Sequence, residues 1–282
     1  MPLYRHVGLA AAFSPRLHSL LAEAAFHAEQ FTNRLSIIHV GEATDENERR
    51  MREAIVTAGL PEETSILWVS GSPADALLRA AEQHDIDLLI AGALERTGPF
   101  RYYLGSVAHD LVREAPCSLL LFTDPRIEPE PMRRIVVVAD YSESALIALM
   151  KTFRFAEQQT ELEMVHVIRV LSKYGEAMLL SEGVGRERAQ EYQTHTLAEE
   201  KELLRDFVDA AGQTTVRVEA HCIRGETGFV AAQFVREQNA DLLVMPSTDR
   251  RSHFFERLFP SDMEWVLREI PCNLWVAREQ VA

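Results

Sequence analysis

Two widely separated stretches of this 282-residue chain carry the same landmarks in the same order, and that internal repeat limits the fold more than any other feature. Asp87-Leu-Leu-Ile answers to Asp241-Leu-Leu-Val, each 16 residues after a glycine, Gly71 or Gly225. Arg113-Glu-Ala-Pro-Cys117 answers to Arg268-Glu-Ile-Pro-Cys272, and His39-Val40 to His166-Val167. A shared order over shared spacing reads as two copies of one domain, residues 1–124 and 134–282, with 125–133 a linker of prolines and charges. The copies differ in length mainly between His-Val and the glycine: 32 residues from His39 to Gly71, against 59 from His166 to Gly225. The surplus falls near 171–211 and reads as a helical insertion with long helices such as Thr194–Ala210.

Within each copy apolar runs alternate with helical stretches. Arg5–Ala12 lacks alternation, as a strand buried on both faces does, and Arg34–Val40, Thr64–Val69, Asp87–Ala91 and Pro116–Phe122 read as four further strands. Pro15–Gln30, Asp45–Ala58 and Ala74–His84 are helical, the last opened by Ser72 as cap and Pro73 in the first turn. Arg134–Asp140, Ser142–Ala156 and Glu161–Ile168 begin the series again. The pattern predicts an α/β protein of two doubly wound, mostly parallel sheets.

Gly92 to Ser106 is the leading candidate site, because there a buried strand hands over to a helix, where parallel sheets bind ligands. Gly105 lets the backbone approach a ligand, Ser106 can cap the helix, and the free N–H groups of such a turn suit a phosphate.

Composition narrows the partners. With 47% hydrophobic and 26% charged residues the chain reads as globular, and no apolar run approaches a membrane span. The N-terminus lacks the apolar core of a signal peptide, so a cytoplasmic location is expected. A net charge of −14 argues against nucleic acid and anionic lipid as partners. Cys117, Cys222 and Cys272 read as reduced thiols, and the ten histidines show no HxxxH spacing that suggests zinc. His39 and His166 fall at strand ends near the crevice, where a histidine satisfied by a neighbour is far commoner than a catalytic one.

Taken in order, these landmarks resemble the universal stress protein family in its tandem form. The resemblance implies an adenine nucleotide alpha hydrolase-like fold, five parallel strands ordered 3-2-1-4-5 in each copy, and pairing of the copies through their fifth strands as an internal pseudo-dimer. It also implies stress-related roles, generally without a defined reaction. Some members bind ATP through a Gly-x2-Gly-x9-Gly-Ser/Thr loop and an aspartate after the first strand.

Each copy departs from that pattern differently. In the first, Gly92, Gly105 and Ser106 keep the loop spacing, but Glu95 replaces the middle glycine and Ala12 stands at the aspartate position. Arg96 and Arg101 can offset Glu95, and Val40 ends the second strand beside the crevice. In the second, Asp140 is present, but Pro246 to Ser261 has no glycine, and Asp262 and Glu264 place negative charge in the following helix. Phe254, Phe255, Leu258 and Phe259 form an apolar cluster there that reads as local core or as a contact surface.

The expectation is a stress-response binding or regulatory module. Its first copy holds a weakened ATP or anion site, and its second is degenerate. Adenine nucleotide, a protein partner or a second copy of the chain are the expected partners. The alternatives are a nucleotide hydrolase using the first crevice and a purely structural partner-binding protein. No Gly-x-Ser-x-Gly elbow or Gly-Lys-Ser/Thr turn supports catalysis.

Overall fold

The computed structural model describes residues 2–32, 34–93, 105–171, 186–225, 227–247 and 272–278. Its first half runs β1 (Val7–Ala10), α1 (Leu17–Phe31), β2 (Leu35–Val40), α2 (Asp45–Thr57), β3 (Ser65–Val69), α3 (Pro73–Gln83), β4 (Leu88–Gly92), α4 (Ser106–Glu114) and β5 (Ser118–Phe122). The second runs β6 (Arg134–Val138), α5 (Glu143–Ala156), β7 (Met164–Leu171), α6 (Arg186–Ala210), β8 (Val218–Arg224), α7 (Thr227–Gln238), β9 (Leu242–Ser247) and β10 (Asn273–Arg278).

Each half is a parallel 3-2-1-4-5 array, β3-β2-β1-β4-β5 and β8-β7-β6-β9-β10. The strands β5 and β10 pair antiparallel, Leu120 opposite Trp275, so the two units join edge to edge into one ten-stranded sheet. Successive strand residues face opposite sides. Ile37 and Ile135 join a core under α1, α2, α5 and α6, while Ile38 and Val136 join one under α3, α4 and α7. At the seam the first core is continuous across both halves. Phe31 stacks on Phe155 at 5.0 Å, Trp275 meets both rings edge-on, and its indole N–H donates to Tyr4 Oη at 3.0 Å.

The repeated Asp-Leu-Leu has a physical cause. Asp87 accepts the backbone N–H groups of Arg5 and His6 at 2.8 and 2.9 Å, and Asp241 accepts those of Arg133 and Arg134 at 2.7 and 2.9 Å. In each half one carboxylate ahead of the fourth strand ties down the chain entering the first.

Two local expectations change. Ser72 sits at the cap of α3, with Pro73 first in the helix as expected, but its side chain makes no capping bond. The length surplus of the second half is not wholly an added module: α6, in the crossover from second to third strand, occupies the place of α2 with 25 residues instead of 13. Residues 172–185 of that crossover lie outside the described residues.

Candidate functional site

Backbone hydrogen bonds fix how the halves correspond. Ala11 N–H donates to Ile38 O at 2.9 Å and Ala139 N–H to Ile168 O at 2.8 Å, which makes Ala12 the counterpart of Asp140. The same register overturns one sequence match. Ser36, not His39, corresponds to His166, and His39 corresponds to Arg169. His39 lies near the end of β2, whereas His166 is only the third residue of β7.

In the first half, β1 and β4 are neighbours whose crossovers leave in opposite directions, the position at which open sheets bind ligands. Gly92 ends β4 and Gly105 is the cap residue of α4, buried and extended at φ −60° and ψ 160°. Ser106 is therefore not the cap but the first helical residue, and it is exposed. Among the described residues no side chain caps this helix and no acidic residue stands in its first turn, so nothing described there cancels the partial positive charge of its N–H groups. Glu95, Arg96 and Arg101 lie outside the described residues.

Arg16, at the start of α1, is a cation that the motif search missed. Its Nη1 donates to Ala93 O at 2.9 Å and Thr123 O at 3.3 Å, placing a guanidinium across the ends of β4 and β5. Beyond β1 and β2, where the family pattern has a carboxylate and this chain has Ala12, the neighbouring contacts are aromatic. Phe13 packs on His39 at 4.6 Å, His39 on Trp68 at 5.0 Å, and the Arg50 guanidinium lies 4.3 Å over Phe13. His39 Nδ1 donates to Ala11 O at 2.8 Å, and Trp68 Nε1 to Glu48 at 2.7 Å. Val40 is half-buried at the end of β2, on the opposite face of the sheet, which α3 and α4 cover.

The second half spends its equivalent groups on its own structure. Asp140 accepts hydrogen bonds from the backbone N–H and hydroxyl of Ser142, whose Oγ accepts from Ala145 N at 3.1 Å and caps α5. Tyr141, at φ 64°, turns the chain. Its hydroxyl donates to Glu200 of α6 at 2.9 Å, and the Arg169 guanidinium covers its ring at 4.6 Å. Burial and the Glu200 carboxylate hold the Tyr141 phenol above the ordinary tyrosine range. Of the second loop only Pro246 and Ser247 are described, and both belong to β9; the aromatic cluster, Asp262 and Glu264 are not.

The structure does not bring Asp140 to Gly105. Four strands separate β1 from β6, about 24 Å at the usual spacing. Because β5 and β10 are antiparallel, the carboxyl ends of the two arrays open on opposite edges of the sheet.

One pair has the look of a nucleophile and its base. His6 Nδ1 donates to His84 O at 2.8 Å, and its Nε2 accepts from Ser36 Oγ at 2.8 Å. Both side chains are buried, and they lie at the amino ends of the strands, away from the crevice. Burial pushes the Cys117 thiol up to about 12 and that of Cys272 higher still, so neither is a nucleophile at neutral pH.

The universal stress protein family model matches residues 41–123 and again 131–278. The chain belongs to the universal stress protein family. A universal stress protein of Thermus aquaticus is 36% identical over 74 residues, 26% of this chain and 53% of its own length. One of Methanocaldococcus jannaschii is 35% identical over 60 residues, 21% of this chain and 35% of its own. The chain thus spans about half or less of the length of these relatives. Among solved structures, a universal stress protein from Archaeoglobus fulgidus superimposes with a TM-score of 0.64 at 17% identity, covering 97% of this chain and 98% of that one. A functionally unknown protein from Pseudomonas aeruginosa gives 0.65 at 16% identity over 98% and 92%. At such identity the likeness speaks to the tandem fold. No helix among the described residues is long and apolar enough to cross a membrane.

Proposed function

We propose that this universal stress protein is a cytoplasmic binding or regulatory module whose first half takes adenine nucleotide or another anion weakly, and whose second half takes none. The observation that supports this reading is the amino end of α4 at the switch point, capped by no side chain among the described residues and close to Gly92 and the Arg16 guanidinium. The groups assigned to the ligand are Gly92, Val40, Gly105, Ser106 and Arg16, with Arg96 and Arg101 from the intervening loop. Ala12 stands where the family pattern has its carboxylate, which accounts for weak binding. Asp140 belongs to the cap of α5 and to no ligand.

A thermal-shift titration with ATP tests this. Ligand at about 100 times its dissociation constant adds roughly 2.7 kcal/mol, which moves the melting temperature by about 5 °C or more. Gly105→Pro suits the φ of −60° already present and removes one N–H, so it abolishes the shift. Arg16→Ala weakens it and Asp140→Ala leaves it intact. A shift that survives Gly105→Pro but is lost in Asp140→Ala refutes the assignment, as does no shift at any ATP concentration. Phosphate release from ATP is expected to be absent; steady turnover abolished at Gly105 or Ser106 would make the protein a hydrolase instead.

A further inference from the structure

Strand pairing gathers three side chains that no sequence motif connects. His166 on β7 stands opposite Glu219 on β8, and His221 follows Glu219 by two residues, so all three share the sheet face covered by α7. His166 Nδ1 and His221 Nε2 are 3.2 Å apart, and Glu219 Oε2 is 3.9 Å from the first and 3.7 Å from the second. Among the described residues this is the group of histidine and carboxylate donors close enough together to hold a metal ion.

We propose that His166, Glu219 and His221 form a binding site for a divalent transition metal, with Zn2+ as the best-matched ion. A tetrahedral ion with bonds of about 2.0–2.1 Å spaces its ligand atoms about 3.3–3.4 Å apart. The imidazole–imidazole edge already has that length, and the carboxylate closes the triangle by moving roughly half an ångström. Glu219 is partly exposed and has room to do so. Two imidazoles and one carboxylate are a known zinc donor set that leaves a fourth position for water, and this mixture of nitrogen and oxygen donors does not suit Ca2+ or Mg2+.

The surroundings support ligation. Burial, aided for His166 by its proximity to His221, holds both imidazoles below the ordinary histidine range, so each is in the neutral form that ligates a metal. The proton now shared between Nδ1 and Nε2 moves to the far nitrogen of its own ring when the ion enters, with no net release. Arg217 Nη2 donates to Glu219 Oε1 at 2.8 Å, which leaves Oε2 turned toward the imidazoles. Phe234 of α7 contacts both rings, at 5.5 and 5.0 Å, and gives the site an apolar wall. The nearby Arg134 charge opposes a cation, but Glu163 takes up its guanidinium at 2.8 Å. The first half carries Ser36, Ser65 and Leu67 at the corresponding positions, so the site belongs to the second half alone.

Chelator-stripped full-length protein titrated with Zn2+ against a chromophoric competitor decides the matter. The expected result is one equivalent bound, weakened by more than about 100-fold in His221→Ala and in Glu219→Gln, beyond the 10- to 100-fold that loss of a merely supporting partner costs. Both side chains are partly exposed, so the metal-free variants should melt as the parent does, and Co2+ should give the visible bands of four-coordinate nitrogen and oxygen ligation. Equal zinc affinity in parent and variants, no uptake by the parent at micromolar zinc, or a thiolate-to-cobalt charge-transfer band that places the ion on a cysteine would each overturn the proposal.

Discussion

Replacing Glu23 by glutamine should stabilise the protein at alkaline pH and matter much less in acid. Glu23 lies on α1 with only 5% of its surface exposed. Its Oε1 accepts the N–H of Arg126 in the linker at 3.0 Å, and its Oε2 is 3.8 Å from His27 Nε2. Burial pushes this carboxyl up to about 7, outweighing the N–H and charge of Arg126. His27 is held below its ordinary range by burial, so it offers no compensating positive charge. Its Nδ1 bonds Gln30 Oε1 at 3.0 Å, which leaves Nε2 an acceptor without a hydrogen-bond partner. The folded state therefore holds the Glu23 proton more tightly than the unfolded state does. The stability this contributes is complete below about 4.5 and is lost as pH rises through about 7. The full difference corresponds to about 3 kcal/mol, and halving it for water at the linker side leaves roughly 1.5–2 kcal/mol. A glutamine keeps the acceptor for Arg126, carries no charge, and can donate to His27. Melting curves at constant ionic strength should put Glu23→Gln about 4 °C above the parent at pH 8, with most of that gap gone at pH 5. A gap of equal size at both pH values, or a variant less stable at pH 8, refutes the reasoning.

Three substitutions test the frame itself. Phe155→Ala, at the stacked seam, should cost about 3–5 kcal/mol in chemical denaturation; a cost under about 1 kcal/mol would mean that the seam does not hold the halves together. Asp87→Ala and Asp241→Ala should each cost about 2–3 kcal/mol, because two backbone N–H groups lose their acceptor in either case. Similar values in the two halves are expected, and amide exchange at Arg5, His6, Arg133 and Arg134 should quicken in the matching variant.

The frame was legible in the sequence because its causes leave local patterns or recur in both halves. Apolar runs became strands, buried on both faces in β1, β2, β4 and β5 but half-exposed at the edge strand β3, and Asp-Leu-Leu recurs because each half needs one carboxylate at one place. His-Val misled: two residues in an apolar strand recur easily, and hydrogen-bond register shifts that match by three positions. Ser106 looked like a cap because serine often is one, yet the turn places Gly105 there. Arg16 acts on residues 77 and 107 positions away, which no local pattern announces. Helical histidine spacing does not register this triad for a related reason. It detects ligands on one helix, whereas His166 and His221, 55 residues apart, meet only through strand pairing.

The antiparallel seam between β5 and β10 also bears on how such a molecule diverges. When two identical chains pair edge to edge, every substitution appears at both ends, and neither crevice can change without the other. Joining the copies in one chain keeps the shared interface while releasing the ends to drift apart. Here one half has a helix at its crevice that no described side chain caps, and the other has bound its aspartate to the serine that caps α5 and set two histidines and a glutamate on its outer strands. The chain is thus a dimer with a direction: a partner that meets one end meets different chemistry from a partner at the other.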